Sequence, residues 1–398
     1  MQHLDADRRS GRALLGIATA LVASLAITLP AHAQPEMRGA HAVAEWDAGP
    51  VSAAGAMIRT RVVYPEGATA RGPVVAVVHG YLRNGSYMME LARVLASRGI
   101  VAIVPDMPCG FGGCDHDANA RQVSALLAWA IAQSDTSGSR IEGLVDPERR
   151  GAIGHSWGGL GTFLAVAGDP AIDVWVGLDP QEDGTDALVA APDVAIPNLH
   201  LMAAVDGSCN GEWGANVASS TTATARLRAT IAASGHCDPE EPTDAACDFA
   251  CTAGDRSTSP MFRRYAVAFV TCVLGVDASM SEWIGGASFD ADVSSGLLTG
   301  VAESGLDTID CGAPITPVDG GTITPDPDAG TITPDDDAGT HDAATARIDA
   351  SAPGTDASTG TETPGAGCGC RAASSANGAP FGLVTALAVA VLVRRRRR

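Results

Sequence analysis

Residues 151–161 read Gly-Ala-Ile-Gly-His-Ser-Trp-Gly-Gly-Leu-Gly. Within them, Gly154-His155-Ser156-Trp157-Gly158 has the spacing G-x-S-x-G, which sets a serine on a sharp strand-to-helix turn. Such a turn strains the serine backbone, and side chains at the two glycine positions would strike neighbouring elements. It lifts the hydroxyl clear of a sheet and aims the start of the next helix at the reaction centre. The flanks agree with this reading. Asp146–Arg150 reads as a turn, Gly151-Ala-Ile153 as a short apolar strand and Leu160–Ala167 as an apolar helix.

Working outward, apolar runs alternate with helix-like segments. Pro73–Gly80, Ile100–Pro105, Ile172–Leu178 and Asn198–Val205 read as strands. Ser86–Arg98 and Asn119–Gln133 carry apolar residues at helical spacing, and Gly99 stops the first of them. Short β-rich runs between helices predict an α/β fold: a mostly parallel twisted sheet with helices on both faces. Ligands bind such sheets beyond the carboxyl ends of the strands. His79, Asp106, Ser156, Asp179 and Asp206 fall at those ends.

The ends of the chain differ from its middle. Arg8, Arg9 and Arg12 precede an apolar run, Ala13–Leu29, and Ala31-His-Ala33, which predicts a signal peptide over residues 1–33. Residues 34–311 form the expected catalytic domain. Residues 312–367 nearly repeat Thr322–Gly330 as Thr331–Gly339 and are rich in Thr, Pro, Asp and Gly, a composition that predicts a disordered acidic linker. Asp335-Asp-Asp337 lacks the spacing of an EF-hand and reads as part of that stalk. Residues 368–398 run Cys368-Gly-Cys370, a short apolar segment and Arg394–Arg398. This order resembles the MYXO-CTERM sorting tail, which implies transient membrane anchoring and then surface display or release. A simple tail anchor is the alternative.

Composition narrows the chemistry. The net charge is −20, and much of it lies in the linker. All 26 basic residues are arginine, which excludes a Schiff-base lysine and a phosphate-loop lysine. With no basic stripe, nucleic acid is not an expected partner. Eight cysteines fall within residues 34–311, an even number that reads as disulfides in an exported domain. Cys247-x-x-x-Cys251 with His236 nearby raises zinc as an alternative, and the oxidising compartment favours disulfides.

A serine hydroxyl needs a base to remove its proton, and the base needs an acid to fix its tautomer. Asp206, just past the strand 198–205, is the expected acid, with Asp179 its rival one strand earlier. His236 follows in the polar loop Ser234–Asp238 and is the expected base. His79 and His155 flank glycines and are expected to support the elbow. Two backbone N–H groups, from Tyr81 and Trp157, are the expected oxyanion donors, and their rings are expected to line a substrate pocket. Cys209 and Cys237 lie close to Asp206 and His236, and a disulfide between them would tie the two loops.

Asp146–Gly159, His79-Gly-Tyr81, the Asp206 strand end and His236 together resemble the dienelactone hydrolase, cutinase-like polyester hydrolase and chlorophyllase branch of α/β-hydrolases. The resemblance covers about residues 55–275. It implies the α/β-hydrolase fold and, among polyester hydrolases, a disulfide close to the acid and the histidine. Val176–Pro180 leans toward chlorophyllase and lipase-like members. Polyester hydrolases usually carry Met where this chain has Trp157, and a Trp after the strand that here ends in Leu178-Asp179-Pro180. Dienelactone hydrolases use cysteine where this chain has Ser156. The expectation is an exported, surface-displayed monomeric serine hydrolase acting on small or polymeric carboxylic esters, with no metal and no cofactor. The alternatives are a catalytically silent binding module on the same fold, or a peptidase or acyltransferase using the same triad.

Overall fold

A computed structural model describes residues 34–205, 209, 213 and 215–312. The expected signal peptide, the linker beyond Gly312, the sorting tail and Asp206 lie outside the described residues. The chain divides into two units, Met1–Ile323 and Thr324–Arg398, and the described residues all belong to the first.

Eleven strands are described: β1 (Val43–Ala53), β2 (Ala56–Pro65), β3 (Gly72–Val78), β4 (Val101–Pro105), β5 (Cys109–Gly110), β6 (Gly113–Cys114), β7 (Val145–His155), β8 (Val174–Leu178), β9 (Asn198–Ala203), β10 (Arg226–Ile231) and β11 (Leu298–Ser304). Eight α-helices accompany them: α1 (Met89–Ser97), α2 (His116–Ser134), α3 (Trp157–Gly168), α4 (Asp186–Ala190), α5 (Ala215–Ser220), α6 (Ala245–Cys251), α7 (Ser259–Val273) and α8 (Ala287–Ser294). Nine strands form one sheet in the order β1-β2-β4-β3-β7-β8-β9-β10-β11. Neighbouring strands from β4 through β10 pair in parallel, while β1, β2 and β11 run antiparallel to their neighbours. This is the α/β-hydrolase fold.

The sheet is dressed on both faces: β3, β4 and β8 bury every residue, and successive side chains point to opposite sides. Val75 and Val77 of β3, Ile153 of β7 and Val174, Val176 and Leu178 of β8 enter one core with α1 and α7. Val74, Ala76 and Val78, then Ala152, then Trp175 enter the other with α2 and α3. The α2 helix starts at His116, earlier than its apolar periodicity suggests, because the Asp115 carboxylate accepts from the Ala118 N–H at 2.9 Å and caps it. The expected turn at 146–150 lies inside β7. Pairing with β3 jumps from Gly72↔Val145 to Val74↔Arg150, so the intervening residues bulge out of the ladder.

Parallel strands bring the ends of β3, β7 and β8 to one edge. His79, Ser156 and Asp179 follow those three strands directly, and His236 follows β10.

Candidate active site

Ser156 sits between β7 and α3 with φ 55° and ψ −129°, a left-handed region costly for any residue with a Cβ. The flanking glycines are required sterically. A Cβ on Gly154 would overlap the Gly158 carbonyl, and one on Gly158 would overlap the His79 carbonyl. The Gly80 loop also presses on the nucleophile, since a Cβ there would lie 3.3 Å from Ser156 Oγ. The turn is thus held from both sides.

His236 Nε2 lies 3.0 Å from Ser156 Oγ, and its Nδ1 lies 2.6 Å from Asp179 Oδ2. Asp179 is fully buried, Ser156 and His236 nearly so. The second oxygen of Asp179 accepts from the Ala203 N–H at 2.8 Å, which pins the carboxylate to the end of β9. This chain of contacts has the arrangement of a serine nucleophile, a base and a group that orients the base.

Among the described residues, the carboxylate that meets His236 is Asp179, the rival of the expected Asp206. Asp179 follows β8, the strand beside the elbow strand β7, and the Ala203 N–H holds its second oxygen so that the first meets the imidazole. The signal was Leu178-Asp179-Pro180, a carboxylate placed directly at the end of that neighbouring strand. Asp206 lies outside the described residues.

Trp157 opens α3, where the first backbone N–H groups have no acceptor within the helix. Tyr81 follows Gly80, whose carbonyl accepts from His79 Nδ1 at 2.7 Å. His79 Nε2 in turn accepts from the Met107 N–H at 2.8 Å, so the ring is a neutral Nδ1–H tautomer. Burial lowers the pKa of His79 in agreement with that. Because C=O and N–H point opposite ways in a planar trans peptide, fixing the Gly80 carbonyl also fixes the Tyr81 N–H. The Tyr81 and Trp157 rings lie 4.7 Å apart, and His116 meets the other side of Trp157 edge-on at 5.4 Å.

Behind the triad, His155 Nε2–H donates to the His236 carbonyl at 2.8 Å, and burial holds the His155 pKa well down. His79 and His155 thus brace the Gly80–Tyr81 loop and the His236 loop respectively.

The disulfides correct a second expectation. Cys209 pairs with Cys251 and Cys237 with Cys247; Cys109–Cys114 and Cys272–Cys311 complete the set among the described residues. The expected Cys209–Cys237 bond does not form because each of the two sulfurs is taken by a cysteine of α6. Its Cys247 and Cys251, spaced i and i+4, present both sulfurs on one face. Each takes one partner. The sulfurs of Cys237, Cys247 and Cys251 lie within 4.8 Å of one another, and the disulfides consume the thiolates that zinc would need.

Known proteins resemble this chain over part of its length. The profile of the PETase family, described as PET hydrolase-like, matches residues 29–222. The chain is 30% identical to Cutinase cut1 of Thermobifida fusca over 185 residues, 43% of this chain and 56% of that protein. It is 30% identical to a Bis(hydroxyethyl) terephthalate hydrolase of Streptomyces coelicolor over 165 residues, 41% of this chain and 49% of the other. It is also 33% identical to Lipase 1 of Moraxella sp. over 135 residues, 33% and 40% of the two chains. The chain spans about half the length of the curated relatives it matches. The family match stops at residue 222, before His236. The segment that carries Tyr81, Ser156, Trp157 and Asp179 lies within the PET hydrolase-like match, and the chain is similar to cutinases.

Proposed function

We propose that the protein is an exported serine hydrolase that cleaves carboxylic esters through an acyl-enzyme. The observation that carries this reading is the buried relay Ser156 Oγ, His236 Nε2, His236 Nδ1 and Asp179 Oδ2 at 3.0 and 2.6 Å. Export is supported by four disulfides within the described residues.

Ser156 Oγ attacks the ester carbonyl while His236 Nε2 takes its proton. Asp179 keeps the other ring proton on Nδ1 and stabilises the imidazolium that forms. The Tyr81 and Trp157 N–H groups receive the oxyanion. Collapse of the tetrahedral intermediate breaks the ester C–O bond, and the departing alkoxide takes the proton from Nε2. A water then repeats the sequence with His236 as base, releasing the carboxylic acid and regenerating Ser156. The half-buried rings of Tyr81 and Trp157 would flank the bound ester.

The test is turnover of p-nitrophenyl esters of graded acyl length, and of bis(2-hydroxyethyl) terephthalate, by the oxidised full-length protein. Ser156→Ala is expected to lower kcat by about 10⁴-fold or more, and a fluorophosphonate should label Ser156 only in the unsubstituted protein. Folded protein that neither turns over esters nor takes the label would instead be a binding module on this fold.

A further inference from the structure

Glu240 is a carboxylate with its side chain fully buried, four residues past His236. Arg83, two residues past Tyr81 and largely buried itself, donates to it twice, from Nε at 2.8 Å and from Nη2 at 2.5 Å. Burial raises the Glu240 pKa, and this paired guanidinium works against the rise. Arg83 also reaches Asp244, and its guanidinium lies 3.5 Å over the Tyr87 ring, whose hydroxyl donates to the same Asp244 at 2.7 Å. A backbone bond from the Glu241 N–H to the Tyr87 carbonyl, 2.9 Å, runs alongside. Two segments some 157 residues apart in sequence are thus clamped by charge and by backbone. The elbow joins them: His155 bonds the His236 carbonyl through Nε2, and its Nδ1 faces Glu240 Oε1 at 3.6 Å.

Burying a charge pair is seldom the cheapest way to stabilise a core, because apolar residues of similar volume often serve as well or better. What a bidentate pair adds is a fixed distance and a fixed orientation. Here it fixes the loop that carries the Tyr81 N–H against the loop that carries His236. We propose that Glu240, through Arg83, is a positioning residue for the reaction: the pair holds the oxyanion donor and the base in register with Ser156. This rests on the esterase reading and adds to it the part that sets the alignment. A displacement of about 1 Å at reacting groups costs on the order of 100-fold in rate.

The deciding variant is Arg83→Met/Glu240→Leu, which replaces both charges together and leaves no buried charge unpaired. A merely structural pair predicts wild-type turnover once the fold is intact. The positioning role predicts a melting temperature near that of the wild type and KM for p-nitrophenyl acetate within about twofold. It also predicts kcat lowered about 10- to 100-fold, and weaker inhibition by a phenylboronic acid, whose adduct places an oxygen in the oxyanion site. Wild-type kcat and boronate affinity in the folded double variant would overturn the proposal. If the double variant does not fold, Glu240→Gln decides, since it keeps the shape and an acceptor for Arg83 but removes the charge. Unchanged kcat there overturns the positioning role, and a fall in kcat at constant KM, with Arg83→Lys retaining more activity than Arg83→Met, supports it. A wild-type protein inactive on esters and unlabelled at Ser156 would sink the esterase reading itself. An active wild type with an equally active double variant would sink only the positioning role.

Discussion

Asp179 takes an unusual backbone conformation for a carboxylate, with φ 41°, at the end of β8. That conformation turns its side chain between β9 and His236, so that one oxygen takes the Ala203 N–H and the other the imidazole. Its role is testable against the residue that the sequence favoured. Asp179→Asn should lower kcat for a soluble ester about 10⁴-fold, because an amide cannot hold the required tautomer, while Asp206→Asn should leave kcat within a few-fold of wild type. Equal losses in the two variants would return Asp206 to the acid role. The serine and histidine that meet in the structure are legible from the chain because each carries a local signature: glycines around Ser156, and a polar loop around His236. The carboxylate that meets His236 is not, because the order serine, carboxylate, histidine is satisfied by either aspartate, and the contact of Asp179 with the imidazole exists only in the assembled sheet.

At the scale of elements, legibility follows burial. β3, β4, β8 and β9 bury almost all their residues and read as apolar runs, so they stand out in the sequence. The half-exposed β1, β2, β10 and β11 interleave Arg, Thr and Glu with their core residues and give no such run. Disulfide pairing is harder still, because it depends on where α6 lands. Asp244 caps that helix through the Ala246 and Cys247 N–H groups, and Arg83 grips the same carboxylate. The cap therefore sets Cys247 opposite Cys237, next to the catalytic base. Cys237→Ser/Cys247→Ser should cost about 2–3 kcal/mol in urea unfolding, as expected for a loop this short. It should also lower kcat, since the bond anchors the residue after His236. Non-reducing peptide mapping of the wild type should recover the Cys237–Cys247 and Cys209–Cys251 cross-links. A Cys209–Cys237 peptide would show the frame to be wired as the sequence first suggested.

For the whole molecule, the consequential feature is that His79, His155 and His200 are all buried and held neutral. His200 donates from Nε2 to Asn198 and accepts at Nδ1 from the Trp213 indole at 3.0 Å, so a second ring proton has no place to go. Burial pushes its pKa down to about 3, and burial lowers those of His79 and His155 as well. In the unfolded chain each would titrate near 6.5. Below that pH the unfolded state binds protons that the native state refuses, so the contribution to stability is complete above about 6.5 and is lost as pH falls toward the folded values. Asp173 works the other way: burial raises its pKa to about 6, so between about 6 and 4 the native state holds a proton that the unfolded state releases. Asp238 and Glu240, raised by burial, side with Asp173, while the lowered Asp47, Asp244 and Asp255 side with the histidines, and the wide window of His200 tips the balance toward acid destabilisation. The loss traceable to His200 alone should reach about 2.5 kcal/mol at pH 4.5. Urea unfolding at pH 7, 5.5 and 4.5 should show stability falling across the series. His200→Gln, which offers a donor and an acceptor without titrating, should be less stable than wild type at pH 7 and fall less steeply. A wild-type stability flat from pH 7 to 4.5, or a variant with an unchanged slope, would mean that these rings accept protons inside the folded protein.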